Sequence, residues 1–169
     1  GALAELAARL PGDPMVFAAD LGSITAINEL VPSVLEQAGL PDILVLNAGV
    51  FAVHPVGETP LGTVDTMIDL AVRGPYHVVH HLVPRMRERG SGHVVTIGSV
   101  ADHVAYPENS AYAMTKFAAR GLHQVLRAEL RGTGVRTTLV SPGPVDTSIW
   151  DPIDPDTRPG FPPRTQMLQ

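Results

Sequence analysis

The stretch GHVVTIGSV, residues 92–100, is apolar on both alternating faces and closes on the small, polar Gly98-Ser99. A short run of this kind reads as a strand, and apolar residues on both faces place it inside a covered sheet. The pattern recurs on either side. DILVLNAG (42–49) is an apolar run ending in a polar, glycine-bearing turn. VRTTLVSPG (135–143) reads as another strand, and MVFAADL (15–21) as a short buried one.

Helical signals fill the gaps. GALAELAARL (1–10) has helical spacing and stops at Pro11-Gly12. SITAINELVPSVLEQAG (23–39) starts at Ser23, a good N-cap, and stops at Gly39, a good C-terminal signal. Pro32 inside it removes a backbone donor and is expected to kink it. Residues 61–89 form a long helix candidate interrupted at Gly74-Pro75, and SAYAMTKFAARGLHQVLRAEL (110–130) is another helix. Residues 151–163 hold five prolines and little periodicity, so a loop is expected.

Alternation of strands and helices predicts an α/β fold, a doubly wound (Rossmann-like) parallel sheet in three layers with right-handed crossovers. Neither an internal repeat nor a linker divides residues 1–169, so a single partial domain is expected. In such sheets ligands bind beyond the carboxyl ends of the strands. Asp20, Asn47, Ser99 and Ser141 all fall at such ends, which points to one shared site.

Composition narrows the classes. With 169 residues, 44% of them hydrophobic and 17% charged, the chain fits a globular protein with a sizeable core. A net charge of -5 without a Lys/Arg-rich run argues against nucleic-acid binding. Without cysteine there are no disulfides and no thiolate metal sites, which is compatible with the cytoplasm. No secretory signal opens the chain and no apolar run approaches a membrane span, so no membrane partner is expected.

The helix at 110–130 carries the chemistry. Spacing i, i+4 places Tyr112 and Lys116 on one helical face. A free phenol, with a pKa of about 10, exchanges protons poorly at neutral pH. A neighbouring cation stabilises the phenolate and is expected to lower that value. Such a tyrosine can give a proton to a forming alkoxide or take one from an alcohol. Ser99, at a strand end, is placed to hydrogen-bond the same oxygen.

With these residues the chain resembles the short-chain dehydrogenase/reductase family, classical type. Asn47-Ala48-Gly49 matches its structural N-A-G motif, and Ser99 stands thirteen residues before Tyr112 in its Ser…Tyr-x-x-x-Lys arrangement. SPGPVDT (141–147) is similar to its P-G-x-V-x-T segment, and Asp20-Leu21 to its adenine-side pair. The resemblance covers about residues 15 to 150. It implies hydride transfer between NAD or NADP and a small-molecule alcohol or carbonyl substrate. It implies Tyr112 as general acid/base, Lys116 as the residue that lowers its pKa and holds the nicotinamide ribose, and Ser99 as the anchor of the substrate oxygen. On the cofactor side it implies Asp20, Leu21, Asn47, Ala48, Gly49, Tyr112, Lys116, Pro142, Gly143, Val145 and Thr147. For Thr147 a helix N-cap is the competing role. The resemblance also implies a homodimer or homotetramer through the 61–89 and 110–131 helices.

Two departures stand out. The family's usual helix asparagine, whose backbone carbonyl holds a relay water, is replaced by Ala71. Pro75, four residues on, lacks an N–H, so it is expected to leave the Ala71 carbonyl free and bent in the asparagine's stead. The second is the lack of a glycine-rich dinucleotide fingerprint, since Val95 and Thr137 stand where the last glycine would follow each G-x-G. The family's fingerprint would precede Gly1, and its substrate-side helix would follow Gln169. The chain is therefore expected to be an internal piece that binds cofactor poorly and, as it stands, is inactive. Its 15–21 strand would lack a neighbour and its 42–49 strand would present a bare edge. A catalytically impaired or non-catalytic cofactor-binding or dimerisation module is the alternative.

Other sites carry less. His77 and His81 have i, i+4 spacing, but no carboxylate nearby completes a metal set, and no metal is expected. His54 and His103 fall in loops near the cleft, within possible reach of substrate. His93 and His123 read as structural. Ser99 lacks the G-x-S-x-G context of a hydrolase elbow, and no P-loop occurs.

Overall fold

The computed structural model describes residues 2–169, so Gly1, the first residue of the expected N-terminal helix, lies outside the described residues. Three strands form one parallel sheet in the order β1-β2-β3: β1 (Ile43–Leu46), β2 (Gly92–Ile97) and β3 (Val135–Val140). The helices are α1 (Ala2–Arg9), α2 (Ile24–Gln37), α3 (Leu61–Ile68), α4 (Gly74–Arg89) and α5 (Ser110–Glu129). Helical crossovers join β1 to β2 and β2 to β3, the connection that parallel pairing requires. Among the described residues no helix is long and apolar enough to cross a membrane.

Helices α2, α4 and α5 pack on one face of the sheet. Val79, Val83 and Met86 of α4 meet Val94 of β2, Val135 of β3, and Leu126 and Leu130 at the end of α5. A second cluster joins Ile27 and Val31 of α2 to Leu82 of α4, with Leu44 of β1 against it. Burying such a side chain contributes roughly 1.5–3 kcal/mol, so these two clusters hold the helices to the sheet. The other face shows Ile43, Val45 and Val140 to solvent. The sheet is thus the expected Rossmann-like one in incomplete form.

Local signals place the helix ends. Ser23 caps α2, its hydroxyl accepting from Ala26 N at 3.3 Å, and Gly39 takes the left-handed conformation just past its end. The helix is assigned without a break through Pro32. Gly90 closes α4 in the same left-handed way.

The expected strand at 15–21 is absent. These residues pair with nothing and end in a turn at Leu21, and Met15 and Val16 are exposed. A strand exists only through its partner's ladder, and no described strand lies beside this segment. The 61–89 helix, expected to be interrupted, continues instead through a π-helical turn at Asp69–Arg73, where Gly74 N donates to Asp69 O five residues back. Gly74 is also where this helix touches the loop after residue 20. A Cβ there would stand well inside contact distance of the Leu21 carbonyl oxygen, so only glycine permits that approach.

Candidate active site

The parallel register pairs Leu46 with Thr96 and Ile97 with Val140, so all three strands end at the same edge of the sheet. Asn47 follows β1, Gly98-Ser99 follows β2, and Ser141-Pro142-Gly143 follows β3. The Tyr112 face of α5 lies across that edge. The result is a cavity of about 870 Å³. Asn47, Gly49, Ser99, Tyr112 and Lys116 line it. So do Pro142, Gly143, Val145 and Thr147. Ala48 lines a second cavity on the other side of Lys116, and neither Asp20 nor Leu21 reaches either one. Asp20 instead accepts from Gly22 N at 2.9 Å in the turn before α2, and Leu21 packs on the α2–α4 cluster.

Lys116 is buried, and its Nζ donates to Ile97 O at 3.1 Å while standing 5.5 Å from the centre of the Tyr112 ring. Burial lowers the Lys116 pKa, with the Asp102 charge working against that. The Tyr112 phenol departs from the sequence expectation: burial raises its pKa, and the hydrogen bond with Ser99 only partly offsets the rise. The loss of water around the phenol, which disfavours the phenolate, is the larger effect.

Asp102 was not foreseen. Its side chain is wholly buried, yet it stays ionised: burial would raise its pKa, but hydrogen bonds from Ser141, His103, Arg120 and Ser99 N outweigh that and lower it. The Ser141 hydroxyl donates to Oδ2, and Ser99 N lies 3.5 Å from the same oxygen. His103 Nδ1 and Arg120 Nη1 reach Oδ1 at 2.6 and 2.9 Å. Ser99 in turn caps the short turn Val100–Asp102, its hydroxyl accepting from Ala101 N at 3.2 Å. The signal was present in the sequence as S-V-A-D at 99–102, a capping-box spacing. Gly98 must be glycine because a Cβ would collide with Asp102 and Ser141.

Thr147 holds the N-cap position of the turn Ser148–Trp150, but its hydroxyl makes no cap hydrogen bond. His103 is held by Asp102, and His54 is joined through its backbone to Glu108; neither side chain lines the cavity. His81 meets Asn28 at 3.1 Å and His93 meets Thr138 at 2.8 Å. His123 is buried, and burial lowers its pKa. Also unforeseen were Phe51, Trp150 and Phe161, which wall the cavity. The only tryptophan of the chain, set in a proline-rich loop, was the available hint.

The comparison with known families bears directly on this arrangement. A family model described as short chain dehydrogenase matches residues 1–158. The chain belongs to the short-chain dehydrogenase/reductase family. Among curated relatives of this family, an uncharacterized oxidoreductase of Staphylococcus epidermidis is 32% identical over 152 residues, spanning 90% of this chain and 66% of its own. The dehydrogenase/reductase SDR family member 7B of Rattus norvegicus is 32% identical over 80% of this chain and 42% of its own. A solved short-chain dehydrogenase from Streptomyces avermitilis superposes with a TM-score of 0.81 at 34% identity, covering 87% of this chain and 54% of that one. A serine dehydrogenase solved in complex with NADP+ gives 0.79 at 33% identity, covering 85% and 58%. The chain thus spans about two thirds or less of the length of these relatives.

The residues at the strand ends suit the nicotinamide half of such a cofactor. Gly49 and Gly143 line the cavity at negative φ, and a Cβ on either would meet nothing closer than Asn47 O at 4.0 Å. Neither turn geometry nor packing demands glycine at these two places, and the bare backbone leaves room for a ligand to approach closely.

Proposed function

We propose that this chain forms the catalytic half of an NAD(P)-dependent oxidoreductase acting on a carbonyl or alcohol carbon. The reading is carried by one observation: Ser99, Tyr112 and Lys116, from two separate elements, converge on one cavity beyond the strand ends. The nicotinamide, when bound, accepts or supplies the hydride. In alcohol oxidation the carbinol carbon loses a hydride, its hydroxyl proton passes to the phenolate form of Tyr112, and the C–O bond becomes double; in reduction the protonated phenol gives that proton to the carbonyl oxygen. Ser99 holds the substrate oxygen against the phenol. The phenol is protonated at neutral pH and so can donate to a carbonyl oxygen, although burial, by raising its pKa, makes it the weaker acid. Asn47, Gly49, Pro142, Gly143, Val145 and Thr147 would border the nicotinamide, and Lys116 its ribose.

The proton route behind Tyr112 follows from the second cavity, of about 410 Å³, which Ala71, Pro75 and Lys116 line together. Pro75 has no N–H to close the Ala71 carbonyl, and the π turn widens the helix there. In our reading this carbonyl, open toward Lys116, does what the family's asparagine position does.

The exposed apolar side chains Tyr76, Met114, Phe117 and Val125 on α4 and α5 support self-association through these helices, as a homodimer or homotetramer. The activity is tested by nicotinamide absorbance on the gene product containing this chain, offered a series of alcohols and ketones. Substrate-dependent change in reduced nicotinamide is expected. Cofactor binding without turnover across the series would instead favour a non-catalytic module.

A further inference from the structure

Beyond the reacting oxygen, the cavity is walled by a row of rings. Phe51 meets the Tyr112 ring edge-on at 4.7 Å, Trp150 meets Phe51 at 5.0 Å, and Phe161 meets Trp150 at 6.1 Å. The row starts at the catalytic phenol and runs outward under the 148–166 loop. Trp150 cannot offer its one polar atom, because Nε1 donates to Val145 O at 3.0 Å. Ile149 extends the apolar surface at the mouth.

Charge around the cavity is scarce and committed. Only Glu108 and Lys116 among its lining residues carry charge. Glu108 is bound by Arg158 at 2.8 Å and Lys116 by Ile97 O. A substrate carboxylate would find no free cation and would face Glu108. A polyol finds little more: Asn109 Oδ1, buried and without a partner, can accept from one hydroxyl, and Ser99 and Tyr112 serve the reacting oxygen. Hydroxyls lying against Phe51, Trp150 and Phe161 would lose water without a partner.

The 148–166 loop that supplies Trp150 and Phe161 is tied down at several points. Arg164 bonds Asp146 and Asp151, each at 2.6 Å, and Leu168 exchanges backbone hydrogen bonds with Pro144 and Asp146. The aromatic wall is therefore preformed, and a rigid wall rewards a rigid body that lies flat against it.

We propose that the substrate is an uncharged secondary alcohol or ketone built on a hydrocarbon ring, with polyols and hydroxy acids discriminated against. This deepens the oxidoreductase reading and rests on it. Trp150, the only tryptophan, makes the pocket its own reporter. The chain is titrated with 2-decalol, sorbitol or lactate while Trp150 emission is followed.

The expected result is a saturable emission change with 2-decalol, at concentrations at least about tenfold below any response to the polar pair. Phe161→Ala is expected to weaken 2-decalol by about tenfold, and so is Ile149→Asp, whose exposed position tolerates a polar side chain without unfolding. Tighter response to sorbitol or lactate overturns the proposal, as does unchanged 2-decalol binding in a folded variant of either kind. Turnover by the gene product containing this chain separates the two levels. Nicotinamide-linked oxidation of sorbitol or lactate in preference to 2-decalol would overturn the substrate class and leave hydride transfer standing. Saturable 2-decalol binding with no nicotinamide-linked turnover would uphold the pocket chemistry and sink the oxidoreductase reading.

Discussion

Asp102 gathers the ends of two strands and a helix around one carboxylate: Ser141 after β3, Ser99 after β2 and Arg120 from α5. Its lowered pKa gives a definite pH dependence. The folded state binds this proton more weakly than the unfolded one, so the stabilisation is complete above the ordinary carboxylate range. It is lost as the pH falls through that range to the lowered value. Asp102→Asn is expected to cost about 1–3 kcal/mol at neutral pH and to flatten the acid limb of a denaturation-against-pH series. An acid limb identical to that of the parent would count against this role. At this scale Ser99, Tyr112 and Lys116 were legible because their spacing is local and their chemistry narrow. The partners of Asp102 were not, since Arg120 and Ser141 lie 18 and 39 residues away and only the fold joins them. The direction of the Tyr112 pKa was misjudged for a related reason: helical spacing gives the neighbour but not the depth of burial.

Helices α2, α4 and α5 and all three strands were visible in the sequence, because their caps and apolar runs are local signals. The 15–21 segment has the composition of a strand but not the pairing, which lies in the neighbour rather than in the segment. The π turn at Asp69–Arg73 was hidden behind Gly74-Pro75, which reads equally as a break. Two substitutions separate packing from chemistry at this turn. Gly74→Ala sets a methyl group against the Leu21 carbonyl and is expected to cost about 1–3 kcal/mol in denaturant unfolding. Pro75→Ala restores an N–H able to close the Ala71 carbonyl. It is expected to lower kcat several-fold with KM little changed, and undiminished turnover would remove Ala71 from the proton route.

At the scale of the molecule, the exposed apolar surface includes the open face and edge of the sheet, at Ile43 and Val45, and the outer faces of α4 and α5. The sequence anticipated the bare β1 edge, since an apolar strand with one neighbour must show its other side. The same residues distinguish a sheet surface from a helical one. If α4 and α5 make the subunit contact, Val125→Glu, which puts a carboxylate on an exposed apolar helix face, is expected to convert the assembly to monomer in light scattering while the far-ultraviolet spectrum stays unchanged. Persistence of the assembly would move the contact elsewhere.

Every functional assignment above requires the phenol of Tyr112 to exchange a proton with substrate at the strand-end cavity. The direct measurement is steady-state turnover beside cofactor affinity for Tyr112→Phe, which removes one oxygen and leaves the ring against Phe51. A loss of about 10²–10⁴-fold in kcat with cofactor affinity nearly unchanged is expected. Turnover within a few-fold of the parent would contradict the account.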